Sequence, residues 1–217
     1  MRLPDLRLRL TLVTPNVPEA RSGNFITAAR YRRILERLGH RVHLTTAYED
    51  DPCDVLIALH ARRSHHSIRR FSQRAPGKPL VVVLTGTDLY RDIHSDADAQ
   101  ESLELATRLV VLQRMGLPEL PERHRAKTHV IYQSVIGCHP VGHPPSRYFR
   151  VAVVGHLRAE KDPLRTALAA RQLPPESRIR VVHAGSALEA EWRAAASREN
   201  EENRRYRWLG VLPHWRA

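Results

Sequence analysis

Short apolar runs that alternate with amphipathic stretches constrain this sequence more than any other feature. Val55–Leu59 reads VLIAL and Leu80–Leu84 reads LVVVL, and neither run contains a polar residue. Strands without polar alternation are buried on both faces, which is typical of parallel sheets covered by helices. The alternation therefore predicts an α/β protein with a doubly wound parallel sheet. Further strands of this sheet are predicted at Leu8–Thr14, Arg41–Thr46, Leu109–Leu112 and His129–Tyr132.

Three amphipathic segments are predicted to form helices between these strands. They are Asn24–Leu38, Ser64–Gln73 and Asp96–Thr107, and the last has Ser95 or Asp96 as its N-cap. Apolar residues at helical spacing in the first segment indicate one buried face. The expected members of that face are Ile26, Ala29, Ile34, Leu35 and Leu38.

A Pro- and Gly-rich stretch at residues 137–146, GCHPVGHPPS, interrupts the pattern and predicts a linker over 137–147. It would separate an N-terminal Rossmann-like domain, residues 1–136, from a second α/β domain, residues 148–217. Because the second pattern stops after about three strands where such domains have about six, we expect a partial, C-terminally truncated domain. Its strands are predicted at Tyr148–Val154, Arg178–His183 and Tyr206–Leu209, and its helices at Pro163–Arg171 and Ala187–Ser197.

The formal net charge of +12 comes almost entirely from arginine, since only Lys78, Lys127 and Lys161 are lysines. Guanidinium groups bind phosphates bidentately, so the charge favours small phosphorylated ligands. An Arg-rich nucleic-acid binder would need its basic residues clustered on one face. Here they are spread over every segment without interleaved aromatic residues, so that alternative ranks lower and we expect no nucleic-acid partner.

The cysteines and the hydropathy pattern bear on compartment and metal content. Cys53 and Cys138 belong to no Cys-x-x-Cys motif, which favours reduced thiols and a cytoplasmic location. No apolar run approaches the ~18 residues of a membrane span. Cys138, His139 and His143 lack a fourth ligand in a Pro-rich stretch, so we expect no metal site there. Neither a G-x-G-x-x-G motif nor a P-loop motif occurs, and we expect no cofactor.

Polar residues follow the first, third and fourth predicted strands, at the edge where open α/β sheets bind ligands. The loop after the first strand leads to a helix start that suits an anion, although an ordinary cap by Ser22 or Asn24 explains it equally well. His60 is a candidate base or oxyanion partner, or a hydrogen-bonded histidine that caps the sheet. The candidate acceptor- and phosphate-binding residues are Arg21, Ser22, Gly23, Asn24, His60, Arg62, Arg63, Gly86, Thr87, Asp88 and Arg91.

Structural explanations are open for several of these residues. Arg62 and Arg63 can clamp a phosphate or lie at a solvated helix start. Asp88 and Arg91 can pair with each other. Gly86 is expected to permit a tight turn or the close approach of a ligand.

Two further motifs carry charge. Asp96-Ala97-Asp98 spells D-x-D, but it opens a predicted helix, where capping explains acidic residues better than metal binding.

In the second domain a strand leads into a turn with three basic side chains and then a helix with Pro163 near its start. The basic residues His156, Arg158 and Lys161 would converge there on a diphosphate, unless the segment is an ordinary surface turn.

The run GHLRAEKDP at residues 155–163 resembles the G-R-L-x-x-E-K-G/D segment of family 4 glycosyltransferases of the GT-B fold. Further stretches are similar to the selenosugar synthases of selenoneine biosynthesis within that family. They are Thr14-Pro15 with RSGN at residues 21–24, HARRS at 60–64, LTGTDLYRDIHSD at 84–96 and VIYQS at 130–134. The resemblance implies a UDP-sugar donor whose diphosphate binds His156, Arg158 and Lys161. It also implies selenophosphate as an anionic acceptor, and no metal requirement.

Two departures from the family pattern limit what the resemblance implies. His156 stands where the pattern has arginine, so Arg158 would supply that charge. Thr85 stands where many members have histidine, so no catalytic residue is assigned. The expected function is transfer of a sugar from a UDP-sugar to selenophosphate. The alternative is a catalytically inactive, truncated glycosyltransferase fragment that at most binds phosphates.

Overall fold

The computed structural model describes residues 7–15, 23–134 and 147–213, and the chain forms two compact units. Unit 1 is Met1–Gly137 and unit 2 is Cys138–Ala217. Most of the predicted linker, residues 137–147, lies outside the described residues. Among the described residues, none of the helices combines the length and apolarity that crossing a bilayer requires.

Unit 1 contains a six-stranded parallel sheet with the order β2-β1-β3-β4-β5-β6. The strand order reverses between β1 and β3, and the crevice at such a reversal is where open α/β sheets bind ligands. The sequence predicts all six strands, β2 from its alternating polar and apolar residues and the others from their apolar runs. Their bounds are β1 Arg9–Val13, β2 Arg41–Thr45, β3 Val55–Leu59, β4 Leu80–Leu84, β5 Arg108–Val111 and β6 Thr128–Val130.

Helices cover both faces of this sheet, as the continuous apolar strands predict. One apolar cluster joins Leu56 and Leu109 of the sheet to Phe71 and Leu103 of the helices. A second cluster on the other face includes Leu12, Val83 and Ala28. The helices of unit 1 are α1 Gly23–Arg37, α2 His65–Arg74, α3 Ile93–Ser95, α4 Ala97–Leu105 and α5 Glu122–Arg125, and a π-helical turn, Asp88–Asp92, leads into α3.

The buried face of α1 differs from the prediction. Ile26, Ile34 and Leu38 are exposed, while Thr27 and Ala28 are buried. The sheet accepts the small Ala28 side chain against Leu12, so the helix packs closely through its small residues. Ala29 and Leu35 are half-buried, and the Thr27 hydroxyl donates to the carbonyl of Gly23 at 2.9 Å. The inward face is therefore rotated from the one that the apolar spacing predicts.

The D-x-D segment caps a helix, as predicted. An Asp96 carboxylate oxygen accepts a hydrogen bond from the backbone N–H of Ala99 at 2.9 Å. This satisfies one of the N–H groups that the first turn of α4 leaves without an intrahelical partner. The predicted metal-binding alternative for this motif is not needed to explain Asp96.

Unit 2 contains three parallel strands in the order β7-β8-β9, with two helices. Both helices pack on one face, where Ala167 and Ala170 of the first contact Val181 and Tyr206. The first helix begins two residues later than predicted, after a 3₁₀ turn at Ala159–Lys161. The bounds are β7 Phe149–Val154, α6 Arg165–Arg171, β8 Ile179–Ala184, α7 Ala190–Glu202 and β9 Tyr206–Trp208.

Candidate functional site

The Asp88 carboxylate joins the loops that follow β3 and β4 at the carboxyl edge of the unit 1 sheet. One oxygen accepts from the backbone N–H of Ala61 at 3.0 Å, and the other accepts from those of Thr85 and Gly86 at 3.0 and 2.9 Å. Asp88 is fully buried. The alternative in which Asp88 pairs with Arg91 is not what the structure shows, because Asp88 accepts from backbone N–H groups and Arg91 donates to Asp92. Asp88 therefore positions the edge of the site and does not itself face a ligand.

His60 lies between these two loops and is 2% exposed. Its Nδ1 accepts a hydrogen bond from the backbone N–H of Arg63 at 3.3 Å, and its Nε2 lies 3.1 Å from Oγ1 of Thr87. Since a backbone N–H can only donate, the neutral ring carries its proton on Nε2 and donates it to Thr87. The Thr87 hydroxyl hydrogen is then available to another acceptor. His60 is a buried, hydrogen-bonded histidine that orients a hydroxyl at this edge.

Burial also determines the charge of His60. Desolvation lowers the pKa of His60 below its usual value, while the nearby Asp88 carboxylate opposes the shift. The ring is therefore neutral at pH 7, in agreement with the single-proton tautomer that its hydrogen bonds require.

The backbone of His60 has a φ of +72°, in the left-handed region that few non-glycine residues adopt. Such a conformation costs roughly 1–2 kcal/mol for an L-residue. It is held by Ser64, whose hydroxyl donates to the carbonyl of Leu59 at 2.7 Å and whose N–H donates to that of His60 at 3.0 Å. Strained residues of this kind cluster at functional sites.

The three candidate arginines near His60 fall into two groups. Arg62 lies 3.6 Å from a carboxylate oxygen of Asp92 and 3.1 Å from one of Asp96, and Nε of Arg91 donates to Asp92 at 3.1 Å. Asp92 is almost fully buried, so these two guanidinium groups balance a carboxylate of the fold. Arg63 is exposed directly after the His60 turn. Of the three, Arg63 is the better candidate for contacting an anion.

The helix start after β1 decides between the two predicted caps only in part. Helix α1 begins at Gly23, so Asn24 lies within its first turn and is not the cap. The other predicted cap, Ser22, lies with Arg21 outside the described residues. Among the described residues, a Cβ added at Gly23 or Gly86 would meet nothing within 4 Å. The φ of Gly86 lies outside the range that favours glycine, so its turn does not require glycine. The space that the described residues leave beside both positions suits a close-approaching ligand.

Thr14, at the end of β1 and beside the strand-order reversal, is not among the predicted site residues, although it belongs to the stretches that carry the family resemblance. Its Oγ1 is buried and has no hydrogen-bond partner among the described residues. Gln113 after β5 and Gln133 after β6 are likewise not among the predicted site residues. They donate to the Tyr90 hydroxyl at 2.5 Å and to Thr27 Oγ1 at 2.9 Å. The rule that ligand contacts follow strand ends could have found all three.

The predicted diphosphate turn of unit 2 follows β7. Nδ1 of His156 accepts from the Ser186 hydroxyl at 2.8 Å, which fixes the ring. Arg158 is half-buried, and Lys161 is exposed at the end of the 3₁₀ turn. The Asp162 carboxylate pairs with Arg165 at 2.6 Å, so an acidic group already occupies the start of α6. The basic side chains, and not the helix N-terminus, are what this turn offers an anion.

Two glycines bring the loops after β7 and β8 together at the same edge. A Cβ at Gly185 would lie 1.8 Å from the carbonyl oxygen of Gly155. That carbonyl accepts from Nε2 of His183 at 3.1 Å, and Nδ1 of His183 accepts from the Tyr206 hydroxyl at 2.9 Å. Burial lowers the pKa of His183, so the ring is neutral and can make both bonds at once. This close approach sets the path of the basic turn.

Metal-binding residues do not gather in the part of the chain that the structure describes: no three His, Cys, Asp or Glu side chains there are placed to hold an ion. Cys138, His139 and His143 lie outside it. That the protein needs no metal or cofactor stays a prediction.

Neither a protein-family model nor a curated protein sequence matches this chain. Among solved structures, UDP-GlcNAc 2-epimerase from Methanocaldococcus jannaschii is similar with a TM-score of 0.53 and 8% identity, over 95% of this chain and 74% of the epimerase. CalG4, the calicheamicin glycosyltransferase, reaches a TM-score of 0.42 at 10% identity, over 93% of this chain and 70% of CalG4.

The similarity to the epimerase defines the class of fold. This chain is an α/β protein of GT-B-like fold, as the alternating sequence pattern and the family resemblance predict. At 8% identity the similarity concerns the fold and not the activity.

Proposed function

We propose that this protein is a glycosyltransferase that uses a UDP-sugar donor. The GT-B-like fold and the basic turn after β7 support the proposal. The observation that carries it is the cluster at the carboxyl edge of unit 1, where buried His60 and Asp88 arrange Thr87, Arg63 and the open space above Gly86. This edge would bind the acceptor, and the turn of unit 2 would bind the diphosphate of the donor.

In the proposed glycosyl transfer, these residues would position the two substrates and stabilise the charge that develops on them. The acceptor nucleophile attacks the anomeric carbon, and the bond from that carbon to the diphosphate oxygen breaks with its electron pair leaving on UDP. Lys161 and Arg158 would stabilise the negative charge that develops on the departing diphosphate. The Thr87 hydroxyl, oriented by neutral His60, would donate to an anionic acceptor beside Arg63.

Selenophosphate is the acceptor that we propose, on the resemblance of the HARRS and LTGTDLYRDIHSD stretches to selenosugar synthases. Its selenium is already anionic, so no general base is needed for attack. The product of transfer carries a Se–P bond, and hydrolysis of that bond by water would release phosphate and a selenosugar.

The test is a pair of measurements on the full chain with UDP-glucose and UDP-N-acetylglucosamine as donors. We expect UDP release that depends on selenophosphate, with a selenosugar detected by mass spectrometry. Lys161→Gln should weaken UDP binding about tenfold, which is the loss of about 1.4 kcal/mol. Arg193→Gln on α7 removes the same charge elsewhere in unit 2 and should leave UDP binding unchanged.

The proposed binding of the acceptor by unit 1 is tested with the variants Arg63→Gln and Thr87→Val. Both variants should raise the KM for selenophosphate several-fold and leave UDP affinity unchanged, because their side chains lie in unit 1. UDP binding without turnover under any acceptor would contradict the glycosyltransferase and support the phosphate-binding fragment. Turnover with phosphate or water alone would refute selenophosphate as the acceptor.

A further inference from the structure

Unit 2 contains an arginine-lined cleft of about 560 Å³ that the proposed function does not use. It lies at the starts of β8 and β9, whereas the basic turn with Arg158 and Lys161 follows the end of β7. The two features are therefore at opposite edges of the parallel sheet. The polar residues of the cleft are Arg180, Asn200, Asn203, Arg204, Arg205 and Arg207.

The charge of the cleft is positive without a matching carboxylate. Four guanidinium groups line it, and no acidic residue is among the described residues of its lining. Two of the three carboxylates in the last turn of α7, Glu199 and Glu202, pair with Arg171 on α6 instead, both through its NH2 group. Like charges held together destabilise the fold unless an anion offsets them.

Arg205 is the buried donor of this cleft, with 6% of its surface exposed. One terminal nitrogen donates to the carbonyl of Pro174, while its Nε is buried with no hydrogen-bond partner among the described residues. A buried donor without a partner destabilises the folded state, because it has lost its hydrogen bonds to water. A bound anion would accept from this guanidinium and remove that cost.

The neighbouring side chains hold these donors in place. Asn203 accepts from the backbone N–H of Arg205 at 3.0 Å and donates to Glu199 and to the carbonyl of Ala167, so it is a positioning residue. The guanidinium carbon of Arg180 lies 4.4 Å from the centre of the Tyr148 ring. Stacking on a ring face leaves the N–H groups in the plane of the guanidinium able to donate to a ligand.

We propose that this cleft binds a small anion with two or more phosphate groups. Guanidinium groups match phosphate oxygens in bidentate geometry, and several of them require more than one phosphate charge to balance them. The volume falls within the range of about 300–1,000 Å³ that is usual for small-ligand pockets. The site is independent of the proposed glycosyl transfer, because it shares no residue with either part of that site.

The experiment is calorimetric titration of the full chain with inorganic tripolyphosphate. The test variant is Arg204→Gln with Arg207→Gln, which removes two exposed charges of the cleft. The matched control is Arg193→Gln with Arg198→Gln, which removes two exposed charges from α7 outside the cleft. We expect wild type and control to bind with equal affinity and the cleft variant to bind at least tenfold more weakly.

Two further variants keep the result interpretable. Arg205→Gln should abolish binding to the cleft, and its circular dichroism spectrum shows whether it remains folded. Lys161→Gln separates this site from the proposed donor site, since it should weaken UDP binding and leave the tripolyphosphate affinity of the cleft unchanged.

Equal tripolyphosphate affinity in wild type and in the cleft variant would overturn the proposal. It would also be overturned if single-stranded RNA bound in an arginine-dependent manner while tripolyphosphate did not, because the ligand would then be a nucleic acid.

Discussion

The two units of the molecule stabilise their sheets by different means. In unit 1, helices lie on both faces of six strands, and large apolar clusters fill both layers. In unit 2, α6 and α7 pack on one face of three strands, and among the described residues Ala152 and Val154 on the other face of β7 stay exposed. The smaller apolar core of unit 2 leaves more of its stability to buried polar contacts, of which Arg171–Glu199 and His183–Tyr206 are examples.

The tryptophans make this difference measurable. All three, Trp192, Trp208 and Trp215, belong to unit 2. Tryptophan fluorescence therefore follows unfolding of unit 2, whereas far-ultraviolet circular dichroism follows both units. Each variant below can be assigned to its unit by comparing the two signals.

Gly185→Ala is expected to have the largest effect. The new Cβ would overlap the carbonyl oxygen of Gly155, and both atoms belong to backbone that cannot rotate away. We expect a loss of about 3 kcal/mol or more in the free energy of unfolding. The fluorescence transition in denaturant should move strongly or disappear.

Gly155→Ala is the control for that experiment, because a Cβ there meets none of the described residues within 4 Å. It should leave the fluorescence transition within about 1 kcal/mol of wild type. Equal losses in both variants would show that the close approach of the two loops is not what limits Gly185.

Arg171→Met should have the second largest effect. It would leave the carboxylate of Glu199 buried and unpaired, where Arg171 now holds the pKa of that group below its usual value. We expect a loss of about 3 kcal/mol. Adding Glu199→Gln should recover much of it, since the amide still accepts from Asn203 and carries no charge.

The exposed pair of Arg165 with Asp162 supplies the comparison. Arg165→Met should cost less than about 1 kcal/mol, because solvent screens that pair. If both arginine variants lost the same stability, burial would not be the source of the difference.

The smallest expected effect is a loss of stability on acidification, which involves both units. Burial lowers the pKa of His60 and His124 in unit 1 and of His183 in unit 2. The unfolded chain then binds protons more readily than the folded chain. The stability from the neutral rings is complete above the unfolded pKa of about 6.5 and is lost as the pH falls towards the folded value.

Thermal unfolding between about pH 7.5 and about pH 5.5 measures this slope. His183→Gln should flatten the slope seen by tryptophan fluorescence, whereas His129→Gln, at an exposed position of β6, should not. A fluorescence slope that His183→Gln leaves unaltered would assign the acid sensitivity of unit 2 to other groups.

The local sequence pattern was sufficient to predict the strands but insufficient to predict the contacts that form the candidate site. Apolar runs, and for β2 the alternation of polar and apolar residues, predict every strand, because period and turn residues are local properties. The partners of Asp88 could not be predicted, since Ala61 lies 27 residues away and meets it only through pairing of β3 with β4. The left-handed backbone of His60 and the inward rotation of α1 likewise depend on packing against the sheet, which single-segment spacing does not encode.

The contacts of the arginines could not be predicted from the sequence either. The even distribution of the arginines in the sequence predicts no nucleic-acid face, which stays a prediction. In the structure, Arg62 and Arg91 balance the Asp92 carboxylate. The cleft at Arg180, Arg205 and Arg207 gathers residues from β8, the end of α7 and β9, so composition along the chain could not reveal it.

Strand β7 lies at the edge of its sheet and carries Phe149 and Val154, which are 69% and 65% exposed. An edge strand with apolar side chains is a template on which a second chain can add its own strand. The net charge of +12 opposes such contacts by mutual repulsion between molecules. Salt screens that repulsion, so we expect a rise in ionic strength to favour self-association through this strand.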